Sequence, residues 1–196
     1  MIVTGIDPGS VKFGLATIEL HIEDSTQRPL DCISRVIDYR VVKVPSSFRN
    51  KTSKVNGMGW EVFFAREIAK YILNFYPEHV IIERNPTSFG YRSAIRMLNV
   101  SFGIAVGVTS ILCKGEKDIS VTGISTWKWS EMVVGRKVHK KEERHSAIAD
   151  LLSSVVGDTA IADTIDALEA ICIAAAGGME VWGKIGHGSK TKKNGP

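Results

Sequence analysis

The opening stretch, M-I-V-T-G-I-D-P-G-S-V-K-F-G-L-A (residues 1–16), decides the fold. Ile2, Val3 and Ile6 make a short apolar run that reads as a buried strand, and the run ends on a carboxylate, Asp7. Pro8 and Gly9 force a tight turn, after which Phe13, Leu15 and Ile18 restart a strand with apolar residues alternating. A carboxylate at the tip of a core strand, beside a glycine-rich turn, is held rigidly where an anionic group can approach the backbone. Taken alone, the stretch fits equally well a hairpin whose aspartate initiates the turn. The positions of the other acids separate these readings.

Outward from this hairpin, residues 21–31 are polar and read as a turn, and Ile33, Val36, Ile37, Val41, Val42 and Val44 mark a third strand. The chain therefore opens as a three-stranded antiparallel meander. Residues 45–58 carry Arg49, Lys51 and Lys54 and no acid. They read either as a solvated loop or as a flap that contacts phosphates through Lys51 and Lys54. Over residues 59–75, Trp60, Phe63, Phe64, Ile68, Tyr71, Ile72 and Phe75 recur at helical spacing and predict an amphipathic helix packed on the sheet, stopped by Pro77. His79-Val80-Ile81-Ile82-Glu83-Arg84 is a second short apolar strand ending on an acid. A strand–helix–strand crossover sets it parallel to the first, so Asp7 and Glu83 fall at the same ends of neighbouring strands. Two carboxylates there repel unless a cation lies between them, which favours a metal site over an ion pair of Glu83 with Arg84.

The loop at 86–93 places Phe89 and Tyr91 beside Arg84, Arg92 and Arg96. Such a set suits stacking on bases and holding phosphates, the plain alternative being rings folded back onto the core. A second long helix over 93–113 carries Ser101, Gly103, Ala105 and Gly107. Each mid-helix glycine costs about 1 kcal/mol relative to alanine, an expense that close approach of another backbone, on the sheet or across a dimer axis, would offset. Residues 118–123 read as a fifth strand. Arg136, Lys137, Lys140, Lys141 and Arg144, with His139 and His145, then outnumber Glu142 and Glu143 and lead into a helix with Ala147, Ile148, Leu151, Leu152 and Val155 on one face. In the last helix, A-I-A-D-T-I-D-A-L-E-A-I-C-I-A-A-A (160–176), Asp163 and Asp166 lie a turn apart on one face, with Ile161, Ile165, Leu168 and Cys172 on another as core. The helix dipole favours acids near a helix start. It does not explain two acids flanking small residues on an otherwise apolar helix, which can close a cage begun by Asp7 and Glu83.

A chain of 196 residues supports one sizeable core. We read one domain over 1–182 and a basic, glycine-rich tail over 183–196 with the composition of disordered chain. No 18-residue apolar run predicts a membrane span, and no signal-peptide pattern opens the sequence. Cys32, Cys113 and Cys172 have no metal-site spacing and cannot all pair, as suits reduced cysteines in the cytoplasm. The net charge of +4 is modest, but its clustering points to a polyanionic partner.

The motifs together resemble the RNase H-like nuclease superfamily and, within it, the RuvC family of Holliday junction resolvases. G-I-D-P-G-S-V-K-F-G-L-A (5–16) looks like the family's first motif and I-I-E-R (81–84) like its second. S-F-G-I-A-V-G-V (101–108) sits where the family has a Gly- and Ala-rich helix, K-K-E-E-R-H-S-A-I (140–148) looks like its basic helix start, and A-D-T-I-D-A-L-E-A-I-C-I-A (162–174) is similar to its closing motif. The resemblance implies an α/β, RNase H-like fold: a five-stranded mixed sheet, its first three strands antiparallel, flanked by helices. It implies a metal-dependent endodeoxyribonuclease of DNA recombination and repair that resolves four-way junctions by paired symmetric nicks leaving 5′-phosphate and 3′-hydroxyl ends.

By the same resemblance Asp7, Glu83, Asp163 and Asp166 are the catalytic carboxylates. They would hold two Mg²⁺ ions per site, with Mn²⁺ able to substitute. Lys128 and one of Lys140 or Lys141 match basic residues near the scissile phosphate, and Phe89, with Tyr91 competing, stands near the junction-stacking aromatic. Two nicks imply a C2 homodimer; a branch-migration helicase is not readable. The 45–58 loop and the tail depart from bacterial members and suit a phage-type version. Rival readings are a nuclease of the same fold acting on flaps or other branches, a non-catalytic junction-binding protein, and an ATPase whose phosphate loop also reads D-x-G-x-x-x-x-G. The last needs two such domains, which this chain lacks.

Overall fold

Apolar alternation in the first third of the chain folds as expected, into three antiparallel strands: β1 (Ile2–Asp7), β2 (Lys12–Leu20) and, after a 3-10 turn at Pro29–Cys32, β3 (Ile33–Lys43). The structure is a computed structural model that describes residues 1–9, 11–46, 59–84, 92–112, 119–138, 140–156 and 161–188, with backbone only for 92–98, 154–156, 161–164 and 186–188. Helix α1 (Trp60–Phe75) crosses to β4 (His79–Arg84), which pairs parallel with β1. Helix α2 (Arg92–Leu112) crosses to β5 (Ser120–Ser125), parallel to β4. The sheet order is β3-β2-β1-β4-β5. Three helices complete the described chain: α3 (Thr126–Val134), α4 (Lys141–Val156) and α5 (Ile161–Gly188).

Side chains of a strand alternate between faces. Ile6, Phe13, Leu15, Val80 and Ile82 therefore face α1 and α2 and pack with Phe64, Ile68, Tyr71, Ile72 and Ala105. Val3, Ala16, Ile18 and Ile81 face the other way, into a larger core with α3, α4 and α5. Gly5 belongs to this second face: a Cβ there would collide with the backbone of Ala170 and Ala174. These collisions mark how closely α5 is laid on β1 and β2.

Three expectations are revised. Helix α5 has no single core face, because it is buried all round from Ile165 to Met179, with the sheet on one side and Trp129, Val133, Ile148 and Leu152 of α3 and α4 on the other. It also continues to Gly188, into the stretch read as a tail; residues 189–196 lie outside the described residues. The stretch before the basic helix holds a helix of its own, α3, capped by Ser125 and ended at Gly135, whose positive φ of 77° glycine tolerates.

The glycines of α2 are not relieved by the sheet. Ser101, Ala105 and Thr109 face inward, whereas a Cβ at Gly103 or Gly107 would meet nothing within 4 Å. Lys51 and Lys54 fall outside the described residues.

Candidate metal centre

The two-residue strand period carries Asp7 and Glu83 to one place. Asp7 lies two residues past Gly5 and Glu83 two past Ile81, and Gly5 and Ile81 are paired neighbours on the α5 face. Both acids therefore lie at the carboxyl ends of their strands on that face, where α5 passes overhead. Asp166 and Glu169 come down from α5, three residues apart, and both are buried. Carboxylate oxygens of Asp7, Asp166 and Glu169 all lie within 4.8 Å of one another. Glu83 adjoins Asp7, and its Oε1 accepts a hydrogen bond from the Thr126 hydroxyl at the start of α3.

The electrostatics of these acids differ. Burial, followed by the charge of Glu83, pushes the Asp7 carboxyl well above its usual value of 3.8, and Glu169 and Asp166 add to the effect. Burial also pushes Glu169 upward, but His145 and Arg144 outweigh it and hold this carboxyl below its usual 4.5. Arg144 Nε donates to Glu169 Oε1 at 2.9 Å, and His145 Nε2 stands 3.4 Å from the same oxygen. The Arg144 guanidinium also lies 5.5 Å from the ring centroid of Trp129. Asp166 Oδ2 pairs with the ammonium of Lys12, from the first position of β2.

A set of hard oxygen donors, mostly buried and with Asp7 held protonated more tightly by its neighbours, fits a hard divalent cation such as Mg²⁺ or Mn²⁺. Of the four acids expected at the site, the structure brings together Asp7, Glu83 and Asp166. Asp163 lies one turn earlier in α5, and its side chain is outside the described residues. Glu169 was not anticipated. Its signal was an acid three residues past Asp166 in an otherwise apolar run, Ala167 to Ala176.

The basic candidates divide. Lys140 and Lys141 are exposed at the start of α4, one turn from Arg144, and Arg84 is exposed at the end of β4 beside Glu83. Lys128 is engaged elsewhere: its Nζ lies 2.9 Å from Glu180, which also binds Lys184 and sits about three turns along α5 from Glu169. Phe89 and Tyr91 are outside the described residues, and only the backbone of Arg92 is described.

This architecture matches solved structures over nearly its whole length. RuvC of Thermus thermophilus aligns with a TM-score of 0.63 at 15% identity, covering 95% of this chain and 97% of that one. Its complex with a Holliday junction substrate gives 0.66 at 16% identity, over 95% and 96%. The yeast mitochondrial Holliday junction resolvase Ydc2 gives 0.51 at 14% identity, over 94% and 82%. The chain has the RuvC fold. Its five-stranded mixed sheet, with the first three strands antiparallel, is the one the resemblance implied. No protein-family model matches the chain, and comparison with curated proteins finds no match. The likeness to the RuvC fold is thus carried by tertiary structure at low identity. Among the described residues, no helix is long and apolar enough to cross a membrane.

Proposed function

We propose that this chain is a divalent-metal-dependent endonuclease that resolves four-way DNA junctions by paired symmetric nicks, leaving 5′-phosphate and 3′-hydroxyl ends. The observation that carries the reading is the meeting of Asp7, Asp166 and Glu169 within 4.8 Å, beside Glu83, at the carboxyl ends of the central parallel strands of a RuvC fold. Asp7, Glu83 and Asp166, with Asp163 one turn along α5, are the residues that would hold the ions, Mg²⁺ foremost. Such ions supply Lewis-acid stabilisation of a phosphate and an activated water. The chain's own part is to fix these acids on two strands and a buried helix, so that they stay in register without their charges separating. In the overall reaction water adds to phosphorus and the bond to the 3′ oxygen breaks.

Lys140, Lys141 and Arg84, all exposed, would contact DNA phosphates, and Lys128 would do so on leaving Glu180. Phe89, Tyr91, Arg92, Lys51 and Lys54 complete the proposed DNA contacts. Two symmetric nicks call for two sites, hence a C2 homodimer. The exposed α2 face with Gly103, Gly107 and Ile111 is its proposed contact. We place the protein in the cytoplasm, as one nuclease domain.

The test is cleavage of a labelled synthetic four-way junction beside a linear duplex and a flap, with Mg²⁺ or EDTA. Paired nicks in the junction alone, lost in EDTA, support the reading. Equal cutting of flaps moves it to a general branch nuclease, and tight junction binding without cutting leaves a binding protein.

A further inference from the structure

We propose that Lys12 is the resident counter-cation of the acid cluster, and that a divalent ion entering the site must displace its ammonium from Asp166. This rests on the metal-binding reading above.

The placement follows from strand parity. Lys12 precedes Gly14 by two residues on β2, so both face α5. Gly14 admits the backbone of Asp166 so closely that a Cβ would collide with its carbonyl, which brings the Asp166 side chain within reach of Lys12. Gly9 is needed on the other side of Lys12, because a Cβ there would strike the Lys12 carbonyl. Gly9 is therefore pressed against the backbone of the residue that carries the ammonium.

The pair is asymmetric. The Asp166 side chain is 10% exposed and fixed on a buried helix, whereas the Lys12 side chain is 40% exposed on a flexible stem. Asp166 Oδ2 is buried and makes no well-formed hydrogen bond, so Lys12 is its partner among the described residues. The neighbouring acids are served differently: Glu169 by Arg144 and His145, and Glu83 by Thr126. The ammonium thus occupies the open flank of the cluster, where it offsets repulsion among the carboxylates. An ammonium and a divalent ion cannot share that oxygen without strong repulsion, and only Lys12 has solvent to retreat into. Lys12 accordingly raises the metal concentration at which the site fills.

The experiment is titration of the full-length, DNA-free protein with Mn²⁺ at fixed pH, free Mn²⁺ being read from its paramagnetic resonance signal. Lys12→Gln and Lys12→Met should each bind Mn²⁺ about tenfold more tightly than wild type, the scale set by removing one partly exposed unit charge from beside the ion. Lys12→Arg, which keeps the charge, should bind as weakly as wild type. Far-UV circular dichroism establishes that each variant is folded. Equal or weaker binding by both neutral variants overturns the role of Lys12 and leaves the metal reading standing. Absence of Mn²⁺ binding by wild type and neutral variants alike removes both.

Discussion

Gly14 of β2 lies against the backbone carbonyl of Asp166 in α5, so closely that no side chain fits between them. This contact sets the height of the helix-borne acids above the strand-borne ones. Gly14→Ala should cost about 2–3 kcal/mol by forcing backbone apart in a packed core. Mg²⁺-dependent cleavage should fall further than the loss of folded protein explains, because Asp166 and Glu169 are lifted from Asp7. Urea denaturation beside cleavage rates at matched folded fraction reads this; a variant as stable and active as wild type would refute the contact.

Asp7→Asn should abolish cleavage, spare junction binding and stabilise the metal-free protein at neutral pH by on the order of 1–3 kcal/mol, through relief of repulsion and of buried charge. Burial and Glu83 raise the Asp7 carboxyl, so the folded chain holds that proton more tightly than the unfolded chain does. The stability contributed by this group is therefore full below its usual 3.8 and is lost as pH rises from there through the raised value. Melting in EDTA across pH should show that slope in wild type and not in the variant. A variant no more stable than wild type, or one that keeps the slope, would show that Asp7 is not under this burden.

Glu169 carries the opposite sign. Arg144 and His145 hold it below its usual 4.5, so its stabilisation is present above 4.5 and is lost as pH falls through its lowered folded value. Glu169→Gln leaves the Arg144 guanidinium buried without its acid and should destabilise by about 3–5 kcal/mol. Adding Arg144→Met should recover part of that loss, read in a double-mutant cycle of urea midpoints. A cost under about 1 kcal/mol would mean that the pair behaves like an exposed one.

Among the basic residues, Lys140→Ala with Lys141→Ala should weaken junction binding and lower the slope of log affinity against log salt by about 2. Lys128→Ala should change that slope less, because Lys128 is neutralised by Glu180 along α5 from the acids. Binding measured by fluorescence anisotropy at several salt concentrations separates them; a larger effect at Lys128 would reverse the assignment.

By itself the sequence determined the strands, the crossover and therefore the shared edge of Asp7 and Glu83. Those features rest on periods of two and 3.6 residues and on short connections, which are local properties. It also marked Asp166, as an acid on an apolar helix. Only the tertiary structure decided that Glu169 joins the cluster, because its neutraliser, Arg144, is 25 residues away and belongs to another helix. The same holds for Lys12, whose ammonium looked like one surface charge until Gly14 brought α5 down to it. That Lys128 pairs with Glu180 was likewise decided by packing alone. Which face of α5 is core was equally undecided by its pattern, since small residues all round let sheet and helices bury every side. Periodicity tells which residues leave water; only packing tells which charges they meet there.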